Sequence, residues 1–338
     1  MLQKFLSKFF ANIFYRTTSD DWYLSKGYYG ANIEEKFKSF ILSQREEGAV
    51  FYDEFRYVHL KRQVINSCGH ELDSVLIRHN EFDKTSNEQA IYFILSQGRG
   101  EYYESRFRDM AIQARETKAS VLGYNSKGFK SSTGKTQTIF DLVEDAKSVI
   151  RYLLDEEHVL PANIILQGNS LGAAVLEMAS EYYRKHYNLR FRQINSNSFR
   201  TLAAVLAYHY KLPALEKVFG LLLSFAKWEV IPGIDFYQTG PYRCILRRLN
   251  DRTILLGAEF FAAIDIVNDN ASCPIEYRET NLWLYNHCQL VYKGNSETDP
   301  HFLSLHHFHL PGIEGDSQHS VYKYINLFVS ESQKCLKD

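Results

Sequence analysis

Five consecutive residues, Gly168-Asn169-Ser170-Leu171-Gly172, carry the clearest chemical signal in this chain of 338 residues. They follow the apolar run Ile164-Ile165-Leu166-Gln167 and lead into Leu171-Gly-Ala-Ala-Val-Leu176, which puts the serine between a buried strand and a helix. Glycines at 168 and 172 let strand and helix approach closely around a sharp, strained turn. The helix start aims backbone N–H groups, that of Leu171 first, at negative charge developing on a carbonyl oxygen. The chemistry this suits is nucleophilic acyl transfer, with Ser170 attacking and Gly168, Asn169 and Gly172 shaping the turn. A plain strand-to-helix turn with Ser170 as N-cap would give the same pattern.

A serine nucleophile needs a base, an acid that orients the base, and a second oxyanion donor. The donor is expected from Gln97-Gly98-Arg99-Gly100, after the apolar run 90–96, where Gly98 and Arg99 offer backbone N–H groups. A bland glycine-rich turn explains those residues equally well. Arg99 also adds a cation that suits an anionic substrate group. The acid is expected after the run Tyr242–Leu249, where Asp251 falls at the carboxyl end of a predicted parallel strand. Simple turn chemistry at Asn250-Asp251 is the other reading, and Asp265 and Asp269 are weaker candidates. His301, after the last predicted strand, completes the chain order Ser170, Asp251, His301. His306, His307 and His309 crowd the same stretch and His319 follows. Neighbouring imidazoles also fit a metal site, but no suitably spaced carboxylate and no Cys pair completes a ligand set, so neither metal nor organic cofactor is expected.

The elements that must position these residues follow from hydrophobic periodicity. Phe55–Val64 and Leu72–Arg78 alternate and flank Asn66-Ser-Cys-Gly-His70, which predicts an antiparallel hairpin. The texture then changes to continuous apolar runs at 90–96, 119–124, 164–167 and 191–195, separated by helical patterns near 102–115, 139–156 and after 171. Such runs are buried on both faces, the mark of parallel strands in an α/β fold. A long apolar segment at 199–227, broken by Pro213, reads as core helix plus a cap reaching to about residue 240. Strands at 242–249 and Cys288–Lys293 and a helix at 317–330 complete the pattern. The expected organisation is an N-terminal helical extension over 1–50 and one catalytic domain over 51–338, a length compatible with a single core.

Bulk composition narrows the partners. Lys plus Arg number 39 and Asp plus Glu 40, a net charge of −1, so no global field recruits nucleic acid. Five scattered cysteines, without a CxxC pair, argue against a disulfide framework and for a reducing, cytoplasmic compartment. The opening residues 1–16 are apolar at 2, 5, 6, 9, 10, 13 and 14, with Lys4, Lys8 and Arg16 interleaved. That is helical periodicity, too short and too charged for a transmembrane span or a signal peptide. It predicts either a helix docked on the domain or an interfacial helix touching lipid.

With these residues in view, Tyr124-Asn-Ser-Lys-Gly128, Ser132-Thr-Gly134, Asp141-Leu-Val-Glu-Asp145, the Ser170 pentapeptide and Asn195-Ser-Asn-Ser-Phe199 resemble α/β-hydrolase proteins of intracellular bacteria. These include Sid/Sdb-type secreted effectors and a chlamydial family. The resemblance implies an α/β-hydrolase fold: a mostly parallel sheet with an N-terminal antiparallel hairpin, helices on both faces and a helical cap. It implies hydrolysis of an ester or thioester acyl bond on a small molecule, lipid or acylated protein, and export into a host cell. Asn169 in place of the usual His or Tyr, and Gln97-Gly-Arg99 in place of the usual oxyanion loop, depart from the pattern. The alternative is an inactive binding or membrane-peripheral module that keeps the fold.

Overall fold

A computed structural model describes residues 2–14, 58–79, 90–230, 243–248, 253–254, 258, 275–277, 282–287 and 320–335. The hairpin is present as β1 (Val58–Ser67) and β2 (His70–His79), paired antiparallel about the turn at Cys68 and Gly69. Both turn residues have positive φ, 50° and 82°, the backbone that a two-residue hairpin turn demands. The strands β3 (Tyr92–Ser96), β4 (Ser120–Tyr124), β5 (Ile164–Asn169) and β6 (Arg192–Ser196) follow the predicted apolar runs. Then come β7 (Arg243–Arg248), β8 (Ile275–Tyr277) and β9 (Leu282–His287). The described strands form one sheet in the order β1-β2-β4-β3-β5-β6-β7-β9-β8. From β4 through β9 the neighbours are parallel, and the pairs at the two edges are antiparallel.

Successive side chains on a strand point to opposite faces, so every all-apolar strand feeds two cores. Tyr92, Ile94, Leu122, Ile164 and Leu166 face one core, while Phe93, Leu95, Val121 and Ile165 face the other. The first is closed by α3 (Ile139–Arg151) and α4 (Leu171–Tyr187), the second by α2 (Phe107–Thr117) and the C-terminal α7 (Ser320–Cys335). The predicted cap segment contains α5 (Leu202–His209), a turn of 3-10 helix at Pro213–Leu215 and α6 (Glu216–Phe225). Proline at 213 separates the two helices, as its missing N–H dictates.

The opening segment is the helix α1 (Leu2–Phe14). Phe10 is buried in the first core, and the Trp228 indole N–H donates to the carbonyls of Ser7 and Gln137 at 3.1 and 2.9 Å. Ser7 Oγ donates to Gln137 O at 2.7 Å. The helix therefore docks on the domain through one face. Among the described residues no helix is long and apolar enough to cross a membrane.

One feature of the sequence reading lies outside the described residues and another differs from the structure. The strand beside β7 is Leu282–His287, with Ile245 opposite Leu284, whereas the strand expected at 288–293 lies outside the described residues. The helix expected over 139–156 keeps α geometry only to Arg151 and closes in a wider π-type turn at Tyr152–Glu156.

Candidate active site

Parallel strands expose their carboxyl ends on one edge, and the ends of β3, β5 and β6 meet there: Ser96 lies opposite Gly168, and Asn169 opposite Ser196. Ser170 is the residue between β5 and α4, with φ 52° and ψ −120°. A non-glycine residue there stores on the order of 1–3 kcal/mol of backbone strain and persists only when its surroundings hold it. They do. Ser170 N–H donates to Ser196 O at 2.8 Å, and Ser170 O accepts from Ala173 N and Ala174 N at 3.1 and 3.3 Å and from Ser198 Oγ at 3.1 Å.

The two flanking glycines are required by space. A Cβ on Gly168 would fall 2.2 Å from Ala173 Cα, so β5 and α4 are in backbone contact. A Cβ on Gly172 would fall 2.3 Å from both Ser96 O and Gln97 O, which means the first turn of α4 lies flush on the loop leaving β3. That contact brings Leu171 and Gly172, whose N–H groups precede the first intrahelical bonds of α4, beside the 97–100 turn. Gly98 stands directly over the serine, since its Cβ would lie 3.5 Å from Ser170 Cβ and 3.3 Å from Asn169 Nδ2.

A residue absent from the sequence reading shapes this turn. The Glu101 side chain is buried; its Oε2 accepts from Gly98 N at 2.9 Å while its Oε1 accepts from the Arg106 guanidinium. Glu101 N closes the turn onto Gly98 O at 3.2 Å, and Gly100 supplies the positive φ of 71° that the reversal needs. Behind it, Asn125 joins β4 to the same segment: Oδ1 accepts from Tyr103 N at 3.0 Å and Nδ2 donates to Glu104 Oε2 at 2.9 Å. Burial pushes the Glu104 carboxyl up to about 7, against the lowering pull of its bond to Asn125. Charged residues spaced this way read as a solvated loop in one dimension; only the fold reveals them as braces.

Two clefts flank the turn. Gly168, Asn169, Gln113 and Tyr322 line one, while Arg99, Ser126, Phe129, Leu142, Leu171 and Val175 line the other. The second combines the apolar side chains of Phe129, Leu142, Leu171 and Val175 with the backbone of the 97–101 turn. Asn197, with φ 49°, donates from Nδ2 to Asn169 Oδ1 at 3.3 Å, tying the loop after β6 to the residue before the serine. The structure thus brings together Gly168, Asn169, Ser170, Leu171, Gly172, Gly98 and Arg99. Asp251, Asp265 and Asp269, and the histidines at 301, 306, 307, 309 and 319, lie outside the described residues. β7, which precedes Asp251 in sequence, is in the sheet as expected.

The sheet order, the helices on both faces and the strained turn after β5 define the α/β-hydrolase fold. An α/β-hydrolase from Vibrio vulnificus has a similar structure, with a TM-score of 0.53 at 13% identity, covering 84% of this chain and 85% of that one. An esterase from Pyrococcus furiosus aligns with a TM-score of 0.47 at 16% identity over 71% of this chain and 85% of its own. Residues 57–205 match the family described as Chlamydia CHLPS protein (DUF818), the stretch that runs from β1 into the first half of α5 and includes Ser170. An uncharacterized protein of Acanthamoeba polyphaga mimivirus is 25% identical over 236 residues, 64% of this chain and 77% of that protein.

Proposed function

We propose that the chain is a serine hydrolase that cleaves an ester or thioester acyl bond, with Ser170 as nucleophile, His301 as general base and Asp251 as the acid that orients it. The observation that carries this reading is the strained Ser170 backbone at the carboxyl edge of β5, with the turn at Gly98 directly above it. In this reading His301 takes the Ser170 hydroxyl proton as Oγ bonds to the substrate carbonyl carbon. The resulting oxyanion is held by Leu171 N–H and by Arg99 N–H. Gly98 contributes by having no side chain, because its own N–H is committed to Glu101. The imidazolium returns its proton to the departing alcohol or thiol, and water then releases the acyl group from Ser170. The wall of Phe129, Leu142 and Val175 favours an apolar acyl chain, consistent with the lipid or acylated-protein substrates that the sequence resemblance implies. Placement of the protein in a reducing, cytoplasmic compartment rests on its scattered cysteines, and export into a host cell rests on the same resemblance.

A fluorophosphonate probe and a short-chain ester test the assignment together. Ser170→Ala should abolish labelling and lower turnover on the order of a millionfold while leaving thermal unfolding nearly unchanged. His301→Ala should lower turnover far more than substitution of His306, His307, His309 or His319. Labelling that survives Ser170→Ala removes the nucleophile, and a larger effect at another histidine moves the base. A chain that folds but neither labels nor turns over ester is the binding module instead.

A further inference from the structure

The helix α1 has more apolar surface than its docking consumes. Leu6, Phe10 and Ile13 pack toward the core, while Leu2 and Phe5 on another face are 62% and 66% exposed and Phe9 lies beside them, half exposed. α6 repeats the pattern. Leu223 is fully buried, yet Val218, Leu221 and Phe225, spaced three and four residues apart along one face, are exposed, Leu221 at 74%. The two stripes are neighbours, because Gln3 Nε2 donates to Phe225 O at 2.9 Å. Scattered surface leucines need no explanation, but two exposed apolar stripes that meet at Gln3 and Phe225 do.

The charge around this face is as one-sided as its hydrophobicity. Residues 2–14 and 210–230 contain Lys4, Lys8, Lys211, Lys217 and Lys227 against two acids, Glu216 and Glu229, in a chain whose net charge is only −1, and both carboxylate oxygens of Glu229 are buried beneath α6. Glu216 is committed inward, its Oε1 accepting from Arg200 at 2.6 Å. Among the described residues no carboxylate forms an ion pair with any of the five lysines. Large aliphatic and aromatic tips framed by unopposed lysines match a bilayer interface that offers acyl chains below and anionic headgroups above.

We propose that α1 and α6 together form a docking face for an anionic phospholipid membrane. The inference is independent of the chemistry at Ser170, since none of these residues lines the clefts beside the serine. The lipid face is composite: α1 alone presents one short stripe, and the cap helix doubles it. Leu2, Phe5, Phe9, Val218, Leu221 and Phe225 enter the headgroup region, and the lysines stay at phosphate level with their stems along the apolar surface.

Sedimentation of the full chain with vesicles tests this. The chain should pellet with phosphatidylcholine vesicles containing about a third phosphatidylserine, much less with phosphatidylcholine alone, and should be released by high salt. Phe5→Glu combined with Leu221→Glu should weaken partitioning at least about tenfold, and Lys4→Glu with Lys8→Glu should weaken it too. All four positions are exposed, so thermal unfolding should stay near that of the unsubstituted chain, and the lysine pair gives a second route if the apolar pair misfolds. Failure of the chain to pellet with the anionic vesicles at low salt overturns the proposal. So does undiminished pelleting of the folded variants. Light scattering that shows a dimer which Leu221→Glu dissociates, with no vesicle binding, assigns the face to a second copy and overturns it as well.

Discussion

Gly172→Ala probes the site through a single methyl group. The added Cβ would sit 2.3 Å from Ser96 O and from Gln97 O and 2.5 Å from Ser96 C, where real Cβ contacts essentially never fall below 3.0 Å. All three atoms are backbone, so no rotamer change relieves the clash. The first turn of α4 and the loop after β3 must separate by at least 3.0 − 2.3, or about 0.7 Å. In the proposed mechanism those two segments carry the two oxyanion donors, Leu171 and Arg99. A shift approaching 1 Å in catalytic geometry lowers rate by about a hundredfold. Overpacking should also cost about 1–3 kcal/mol of stability. Gly220→Ala is the control: its Cβ would meet nothing closer than 3.7 Å, from Ala203 Cβ and Glu229 Oε2, inside α6. There alanine should add roughly 0.5–1 kcal/mol of stability and leave turnover unchanged. The assay is kcat/KM on a soluble short-chain ester, with the fluorophosphonate labelling rate and the midpoint of thermal unfolding alongside. If Gly172→Ala turns over and labels at the unsubstituted rate with an unchanged midpoint, the close approach of α4 to the β3 loop does not set the site.

Glu101→Gln should lower kcat about ten- to a hundredfold with little change in KM, because the amide cannot accept from both Gly98 N–H and Arg106; stability should fall by about 1–3 kcal/mol, measured by urea unfolding, and a kcat within twofold would refute the brace. Glu104 makes stability depend on pH: burial raises its folded value to about 7 from an ordinary 4.5, so the neutral carboxyl is favoured and its stabilisation, complete below about 4.5, is lost as pH rises through 7. That gap is worth on the order of 3 kcal/mol, and Glu104→Gln, which keeps an acceptor for Asn125, should flatten the loss between pH 5 and pH 8 in urea unfolding. Glu229, also raised to about 7 by burial, titrates over the same range and should leave a residual slope. An identical pH profile in the variant would show that Glu104 titrates alike in the folded and unfolded chain and would refute its raised value.

The part of this molecule legible in one dimension is the part whose signals are local. β3, β4, β5 and β6 are uninterrupted apolar runs because both faces are covered, and the glycines at 168 and 172 lie within two residues of the serine they free. The hairpin turn likewise sits on two adjacent residues. What escaped is nonlocal. Nothing within Leu282–His287 says that it pairs with β7; that pairing depends on the opposing register of Ile245 and Leu284. Glu101, Glu104 and Asp145 look like ordinary solvated charges, yet each is buried against a partner supplied by the turn geometry or by another element, Arg106, Asn125 and Lys127.

α1 is the instructive middle case. Apolar residues at 2, 5, 6, 9, 10, 13 and 14 cover more of a helical wheel than a single docked stripe needs. From sequence alone, docking and lipid contact stand as rivals. The structure separates the residues instead, with Leu6, Phe10 and Ile13 turned to the core and Leu2, Phe5 and Phe9 turned away from it. A stripe of seven residues on a 13-residue helix is wide enough for two jobs, and its width, rather than its presence, was the informative quantity. The exposed face of α6 is silent in sequence for the same reason: a segment apolar enough to read as core helix gives no hint of which side the core is on, whereas in the fold Leu223 is buried and Leu221 is not.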